Sequence, residues 1–324
     1  MIANLLLLSL AILIIFYLLR ISGNRNKVSD RYSKRPNNPW SALSAGQDPT
    51  EQSGTEANKK NTSENVLAEL VLGAITDAKT RERTITDQEL AKIAPAKDAI
   101  SALRKSMNAG GSTIKIIAEV KRSSPSKGAL AEISNPVALA QQYQNAGANV
   151  ISVLTEARRF NGQIKDLVEI RKVVDLPILR KDFIATEFQV RETKLLGADL
   201  MLLIVAALDF RKLQDLYQLA TEIGLHVLIE VHNEAELDAA MRLNPKIIGV
   251  NARNLKTLTV DESNFQSLIP LIPTEIVRVA ESGINNRDQV KRLEQLGTDA
   301  ILVGESLVKA GNPAQKIFEL LGRI

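Results

Sequence analysis

The sequence predicts a (β/α)₈ barrel, preceded by a helical extension, a linker and one apolar helix. Three observations carry that prediction. From about Ile116 the 324-residue chain repeats one unit, a short apolar β-branched run followed by an amphipathic stretch of helical period. The unit occurs eight times, and eight parallel strands joined by crossover helices close a barrel. Polar residues gather where each run ends, which is where this fold carries its chemistry.

Taken in order, Met1 to Leu19 holds no charged side chain. As a helix it would span about 28 Å, close to a hydrocarbon core of roughly 30 Å. Arg20, Arg25, Lys27, Arg31, Lys34 and Arg35 follow it rather than precede it. That order predicts a membrane-spanning anchor over 1–21 with its C-terminal side in the cytoplasm, not a cleaved secretory signal. Residues 22–64 form a basic juxtamembrane segment and a linker rich in Pro, Asn, Ser, Gly, Gln and Thr, too poor in apolar residues to offset its ordering entropy. The catalytic domain is expected over 65–324. Within it Val66–Ala78 and Asp87–Met107 read as helices of an extension packed on the barrel.

The eight runs are Ile116–Lys121, Val150–Thr155, Pro177–Phe183, Leu200–Ala206, His226–Val231, Ile247–Arg253, Val277–Gly283 and Ala300–Glu305. Between them, Pro136–Ala146, Thr186–Leu196 and Phe210–Ile223 read as helices, each followed by a glycine suited to a left-handed cap. An open doubly wound sheet is the alternative. No Gly-x-Gly-x-x-Gly follows the first run, which weakens its dinucleotide-binding form.

Composition narrows the chemistry. The chain has no cysteine and two histidines, His226 and His232. Thiol nucleophiles, Fe–S clusters and multi-histidine metal sites are excluded or disfavoured. The net charge of +4 lies mostly in residues 1–64, with eight basic and five acidic side chains, against 33 and 32 in the rest. Aromatics are 4% of the chain, so the basic balance does not imply nucleic-acid binding. Catalysis must then rest on Lys, Glu, Asp, Ser and Arg.

Those residues stand at the run ends. Strand alternation puts Glu119 and Lys121 on one face of the first strand, and Asn251 and Arg253 on one face of the sixth. Lys181, Glu230, Glu281 and Glu305 end other runs. Buried lysines and glutamates in one mouth would shift one another's pKa and serve as acid and base. Ser282-Gly283 and Gly304-Glu305 end the seventh and eighth runs, where this fold commonly binds phosphate. His226 opens its strand at the opposite end. His232 follows Val231, and both histidines read as structural or solvated.

Ile117-Ala118-Glu119-Val120-Lys121-Arg122-Ser123-Ser124-Pro125-Ser126-Lys127-Gly128 resembles the signature of the indole-3-glycerol phosphate synthase family. The resemblance runs on through Leu154-Thr155-Glu156, Phe160-Asn161-Gly162, Leu179-Arg180-Lys181-Asp182-Phe183, Leu228-Ile229-Glu230-Val231, Asn251-Ala252-Arg253-Asn254-Leu255, Ala280-Glu281-Ser282-Gly283-Ile284 and Val303-Gly304-Glu305, over about residues 65–324. It implies a step of tryptophan biosynthesis with no metal or organic cofactor, on a small phosphorylated substrate, 1-(2-carboxyphenylamino)-1-deoxyribulose 5-phosphate. By that resemblance Glu119, Lys121, Lys181 and Glu230 are catalytic. Lys181 is the expected proton donor, with its pKa lowered by burial and by Lys121. Asn251, Arg253, Glu281 and Ser282 position substrate, and Ser124 belongs to a covering loop. Phe160 and Phe183 bracket the anthranilate ring. Gly283, Gly304 and the Glu305 backbone cradle the phosphate. Gln163 and Glu305 depart from residues common in the family, and the Glu305 side chain must point away from phosphate.

The N-terminal region has a resemblance of its own. The apolar segment with Asn38-Pro39-Trp40-Ser41-Ala42-Leu43 and Gly46-Gln47-Asp48-Pro49-Thr50 is similar to the C-terminal end of a bacterial membrane protein associated with tryptophan operons. It implies a barrel tethered to the inner face of the membrane, associated with other enzymes of the tryptophan pathway. A membrane-tethered scaffold with an inactive barrel is the competing class.

Overall fold

The computed structural model describes residues 65–106, 114–125, 128–130, 133–255 and 257–324. The expected anchor over 1–21 and the linker over 22–64 lie outside the described residues. Among the described residues, no helix is long and apolar enough to cross a membrane.

The extension comes first, as α1 (Asn65–Arg81), α2 (Asp87–Leu90) and α3 (Ala99–Leu103). The single helix expected over Asp87–Met107 is thus two short ones. Pro95 lies between them, and it removes a backbone donor and restricts the residue before it. Thr86 caps α2 with a capping box closed by Glu89, and the Asp98 carboxylate caps α3.

The barrel strands are β1 (Lys115–Val120), β4 (Val150–Leu154), β5 (Ile178–Lys181), β6 (Leu200–Ile204), β7 (His226–Val231), β8 (Ile247–Asn251), β9 (Val277–Glu281) and β10 (Ala300–Val303). All neighbours pair in parallel, and β1 pairs with both β4 and β10, which closes the barrel. A hairpin of β2 (Ser123–Ser124) and β3 (Gly128–Ala129) follows β1 and was not read from the sequence. Around the barrel run α4 (Pro136–Asn145), α5 (Ile164–Arg171), α6 (Glu187–Leu195), α7 (Phe210–Glu222), α8 (Glu234–Met241), α9 (Ser263–Leu268) and α10 (Arg287–Gln295). The last two helices are α11 (Glu305–Val308) and α12 (Pro313–Leu320). Side-chain oxygens of Asn135, Thr186, Asp209, Asn233, Asn286 and Asn312 cap six of them.

Most expected runs overshoot the ladder at their C-terminal ends. Pro177–Phe183 becomes Ile178–Lys181, and Ile247–Arg253 becomes Ile247–Asn251. The chain leaves the sheet there while its site residues continue outward.

Strand alternation sorts the buried side chains into two sets. Ile116, Ala118, Ile178, Ile229, Val250 and Ala280 face the helices and form one continuous apolar core with them. Residues of the other parity, such as Ile117, Leu179, Leu228 and Val279, are also buried and fill the barrel. Glu119, Lys181, Glu230 and Glu281 share this second parity. Arg180 has the first parity, which places it among the helices.

Candidate active site

All fourteen residues expected to serve the site line one cavity of about 630 Å³ at the C-terminal mouth of the barrel. They arrive from seven of the eight barrel strands and the loops that follow them. Leu70 on α1 also lines it, so the N-terminal extension supplies part of the wall.

Five ionisable groups lie at the floor, two lysines and three glutamates. Lys121 Nζ stands 2.8 Å from Glu119 Oε2. Lys181 Nζ lies 3.6 Å from Glu230 Oε2 and 3.5 Å from Glu281 Oε2. All three glutamates are nearly inaccessible, at 3%, 1% and 1% for Glu119, Glu230 and Glu281. In so dry a place each charge depends on its neighbours.

Burial alone would lower Lys181, but Glu230, Glu281 and Glu119 outweigh it and hold the ammonium well above the usual lysine range. The lowered pKa expected from Lys121 is therefore corrected. Lys121 pairs with Glu119, and three carboxylates face Lys181. Burial raises Glu119 too, yet Lys121 and Lys181 bring it below its ordinary value. Burial likewise opposes ionisation of Glu230, but Lys181 and His232 pull it down to about 2. Glu281 goes the other way. Burial and the negative charge of Glu230 push it up to about 8, against the pull of Lys181. Neither Glu281 oxygen has a hydrogen-bond partner among the described residues. Two carboxyls of similar distance to one lysine thus differ in protonation at neutral pH, one charged and one carrying a proton.

Glu281 needs a bare neighbour. A Cβ on Gly249, one strand away, would sit 2.0 Å from Glu281 Oε1. Sequence reading passed over Gly249, although a glycine inside a strand signals such a close approach.

Around this floor, Asn251 Oδ1 accepts the backbone N–H of Arg253 at 2.9 Å. The Arg253 guanidinium donates to the Leu258 carbonyl at 2.9 Å. Ser124 is buried on the β2–β3 hairpin, and its hydroxyl has no hydrogen-bond partner among the described residues. Ser282 and Gly283 take consecutive positive φ values of 72° and 78°. Serine in that region is strained, and strain of this kind concentrates at functional sites. Gly304, which also lines the cavity, immediately precedes α11. The Glu305 carboxylate pairs with Lys309 Nζ at 2.9 Å, so that side chain is engaged along its own helix.

The rings of Phe160 and Phe183 lie 6.2 Å apart between centres, tilted by 41°. The two rings stand together in the cavity wall as a tilted aromatic pair.

Sequence reading also set aside His232. Its Nε2 lies 3.2 Å from Glu230 Oε1 and its Nδ1 2.9 Å from Glu236 Oε2. The signal that could have found it is alternation, since Glu230 and His232 share a face and Glu236 stands one helical turn on.

The indole-3-glycerol phosphate synthase family profile matches residues 67–320. The chain belongs to the indole-3-glycerol phosphate synthase family. It is 49% identical over 261 residues to indole-3-glycerol phosphate synthase 1 of Streptomyces coelicolor, covering 79% of this chain and 95% of that protein. Indole-3-glycerol phosphate synthase of Micrococcus luteus is 46% identical, covering 78% of this chain and 96% of that protein. Among solved structures, 3-hexulose-6-phosphate synthase from Salmonella typhimurium superposes with a TM-score of 0.53 at 15% identity, over 64% of this chain and 97% of that one. At that identity the likeness concerns the barrel alone. The matched region coincides with the described barrel and its extension, and this synthase domain is a lyase of tryptophan biosynthesis.

Proposed function

We propose that the mouth of this barrel closes an indole ring on 1-(2-carboxyphenylamino)-1-deoxyribulose 5-phosphate, releasing carbon dioxide and water. The observation that supports it most is the Lys181 ammonium, held charged beside one ionised and one protonated carboxyl. The ring carbon that bears the carboxylate bonds to the ketone carbon, and Lys181 gives its proton to the ketone oxygen. Loss of carbon dioxide restores the aromatic ring. The new hydroxyl then leaves as water while a base removes a proton from the carbon beside the nitrogen. Glu230, ionised, suits the base. Protonated Glu281 donates a hydrogen bond that positions the sugar hydroxyls. Glu119 and Lys121 exchange the remaining proton, and Lys121 attracts the substrate carboxylate. The tilted pair of Phe160 and Phe183 packs against the anthranilate ring, with Asn251, Arg253, Ser282 and Ser124 around the chain. Backbone N–H groups at Gly283, Gly304 and Glu305 hold the phosphate.

The test uses substrate labelled with ¹³C in its carboxyl group. Labelled carbon dioxide released one for one with an indole product supports the reading. Isomerised or hydrolysed substrate that keeps its carboxyl defeats it.

The same proposal tethers the domain to the inner face of the membrane through residues 1–19, where it would meet other enzymes of the pathway. Its support is the uncharged run Met1 to Leu19 and the bases that follow. Full chain that floats with anionic lipid vesicles, beside a chain starting at residue 65 that does not, is the expected outcome. Equal partitioning would end the idea.

A further inference from the structure

Behind the cavity wall, Glu230 is tied to His232, whose side chain is 11% exposed. The ring Nε2 lies 3.2 Å from Glu230 Oε1, a charge contact without hydrogen-bond geometry, while Nδ1 is hydrogen-bonded to Glu236 Oε2 at 2.9 Å. The same Glu236 oxygen accepts the backbone N–H of His232 at 2.8 Å. The other Glu236 oxygen accepts from the Asn233 side chain at 2.7 Å. Asn264 on α9 donates to the His232 carbonyl at 3.4 Å. The imidazole therefore sits between Glu230 of β7 and Glu236 of α8, while Asn264 of α9 holds the backbone at His232.

A neutral imidazole puts no charge against either carboxylate, whereas the imidazolium carries an N–H and positive charge on both sides, bonded to Glu236 and within 3.2 Å of Glu230. Carboxylates at both nitrogens favour the doubly protonated ring. Burial opposes that charge, but Glu230 and Glu236 outweigh it and raise His232 to about 10.

This cation resolves an ambiguity in the floor of the site. Lys181 stands almost equally far from Glu230 and Glu281, so it cannot by itself choose which of them keeps a negative charge. Glu119 on β1 is engaged by Lys121. Two groups distinguish Glu230: the Asn251 side chain donates to it, and His232 alone brings it a second positive charge. We propose that His232, clamped by Glu236, is a positioning residue that fixes the orientation of Glu230 and assigns to it the negative charge of the Glu230–Glu281 pair. The inference rests on the reading above in which Glu230 is the ionised base.

The test uses the full chain with His232→Gln, which keeps a donor for Glu230 but no charge. Removing a positive neighbour raises a carboxyl pKa. The acid limb of the kcat profile should move up by at least about one pH unit. At neutral pH Glu230 stays ionised in the variant, so any fall in kcat there reports lost orientation; it should be about tenfold at most, with KM changing far less. Glu236→Gln, which loosens the clamp, should move both in the same direction by a smaller amount. A ¹³C NMR titration of glutamate-labelled chain needs no turnover. It should show the Glu230 carboxyl taking up its proton at higher pH in His232→Gln than in the unaltered chain. An unshifted Glu230 titration, or an unshifted profile in an active, folded variant, overturns the inference. An unaltered chain that does not release carbon dioxide defeats the ring-closure reading instead, and leaves the NMR comparison to decide the role of His232.

Discussion

Arg180 and Lys181 are adjacent on β5, and strand alternation sends them into opposite charge clusters. Arg180 faces the helices and is fully buried. Its guanidinium donates to Thr155, Gln189, Thr193, Asp182 and Glu192 at 2.9–3.3 Å. Glu192 is also held by Arg81 from α1 at 2.8 Å, and the Thr155 hydroxyl donates to Asp182 at 2.6 Å. Lys181 faces the mouth, among Glu281 oxygens that lack hydrogen-bond partners and a Glu230 oxygen in the same condition. Both clusters are buried and ionic. One is satisfied by its own fold, and the other is left short of partners. A buried charge with every bond made holds a structure together, while one left short is poised for a substrate to complete.

That contrast can be broken by substitution. Arg180→Ala leaves Asp182 without a cation and Glu192 with Arg81 alone, and removing one partner of a buried pair costs about 3–5 kcal/mol. Urea unfolding should show that loss, while molecules that remain folded still turn over. A stable but inactive Arg180→Ala would erase the distinction. Gly249→Ala works in the other cluster. Its Cβ displaces the Glu281 carboxyl, and kcat should drop about tenfold, or about 1.4 kcal/mol, with the melting transition shifted far less than by Arg180→Ala. Arg81 is partly exposed, and Arg81→Ala should cost about 1 kcal/mol of stability with little change in kcat. The smallest effect concerns pH. Glu281 carries its proton below about 8 and loses it above. Activity that needs the neutral carboxyl therefore falls as pH rises through that value. Glu281→Gln, neutral at every pH, should keep much of the activity and lose this alkaline limb. An unchanged limb would place the titration elsewhere.

The sequence made some of this contrast legible and hid the rest. Strand periodicity and the polar run ends placed Glu119, Lys181, Glu230 and Glu281 at one mouth, because alternation is local information. The protonation of Lys181 was misread because its nearest charges come from β7 and β9, and no spacing along the chain reports them. The Arg81–Glu192–Arg180 network was invisible for the same reason: its members are separated by up to 111 residues. Pro95 was a local signal that should have divided the expected helix over Asp87–Met107. His232 lay open to alternation with Glu230, yet a lone histidine beyond a strand has no pattern of its own.

The central claim is that the incompletely satisfied cluster, and not its satisfied neighbour, carries out ring closure. Turnover of the full chain, followed by the fluorescence of the indole formed, tests it most directly when Lys181→Ala is run beside the unaltered protein. The account predicts an active chain and a folded variant slower by about 10²–10⁴-fold, the range for losing a general acid. A folded Lys181→Ala that turns over at the unaltered rate would contradict it.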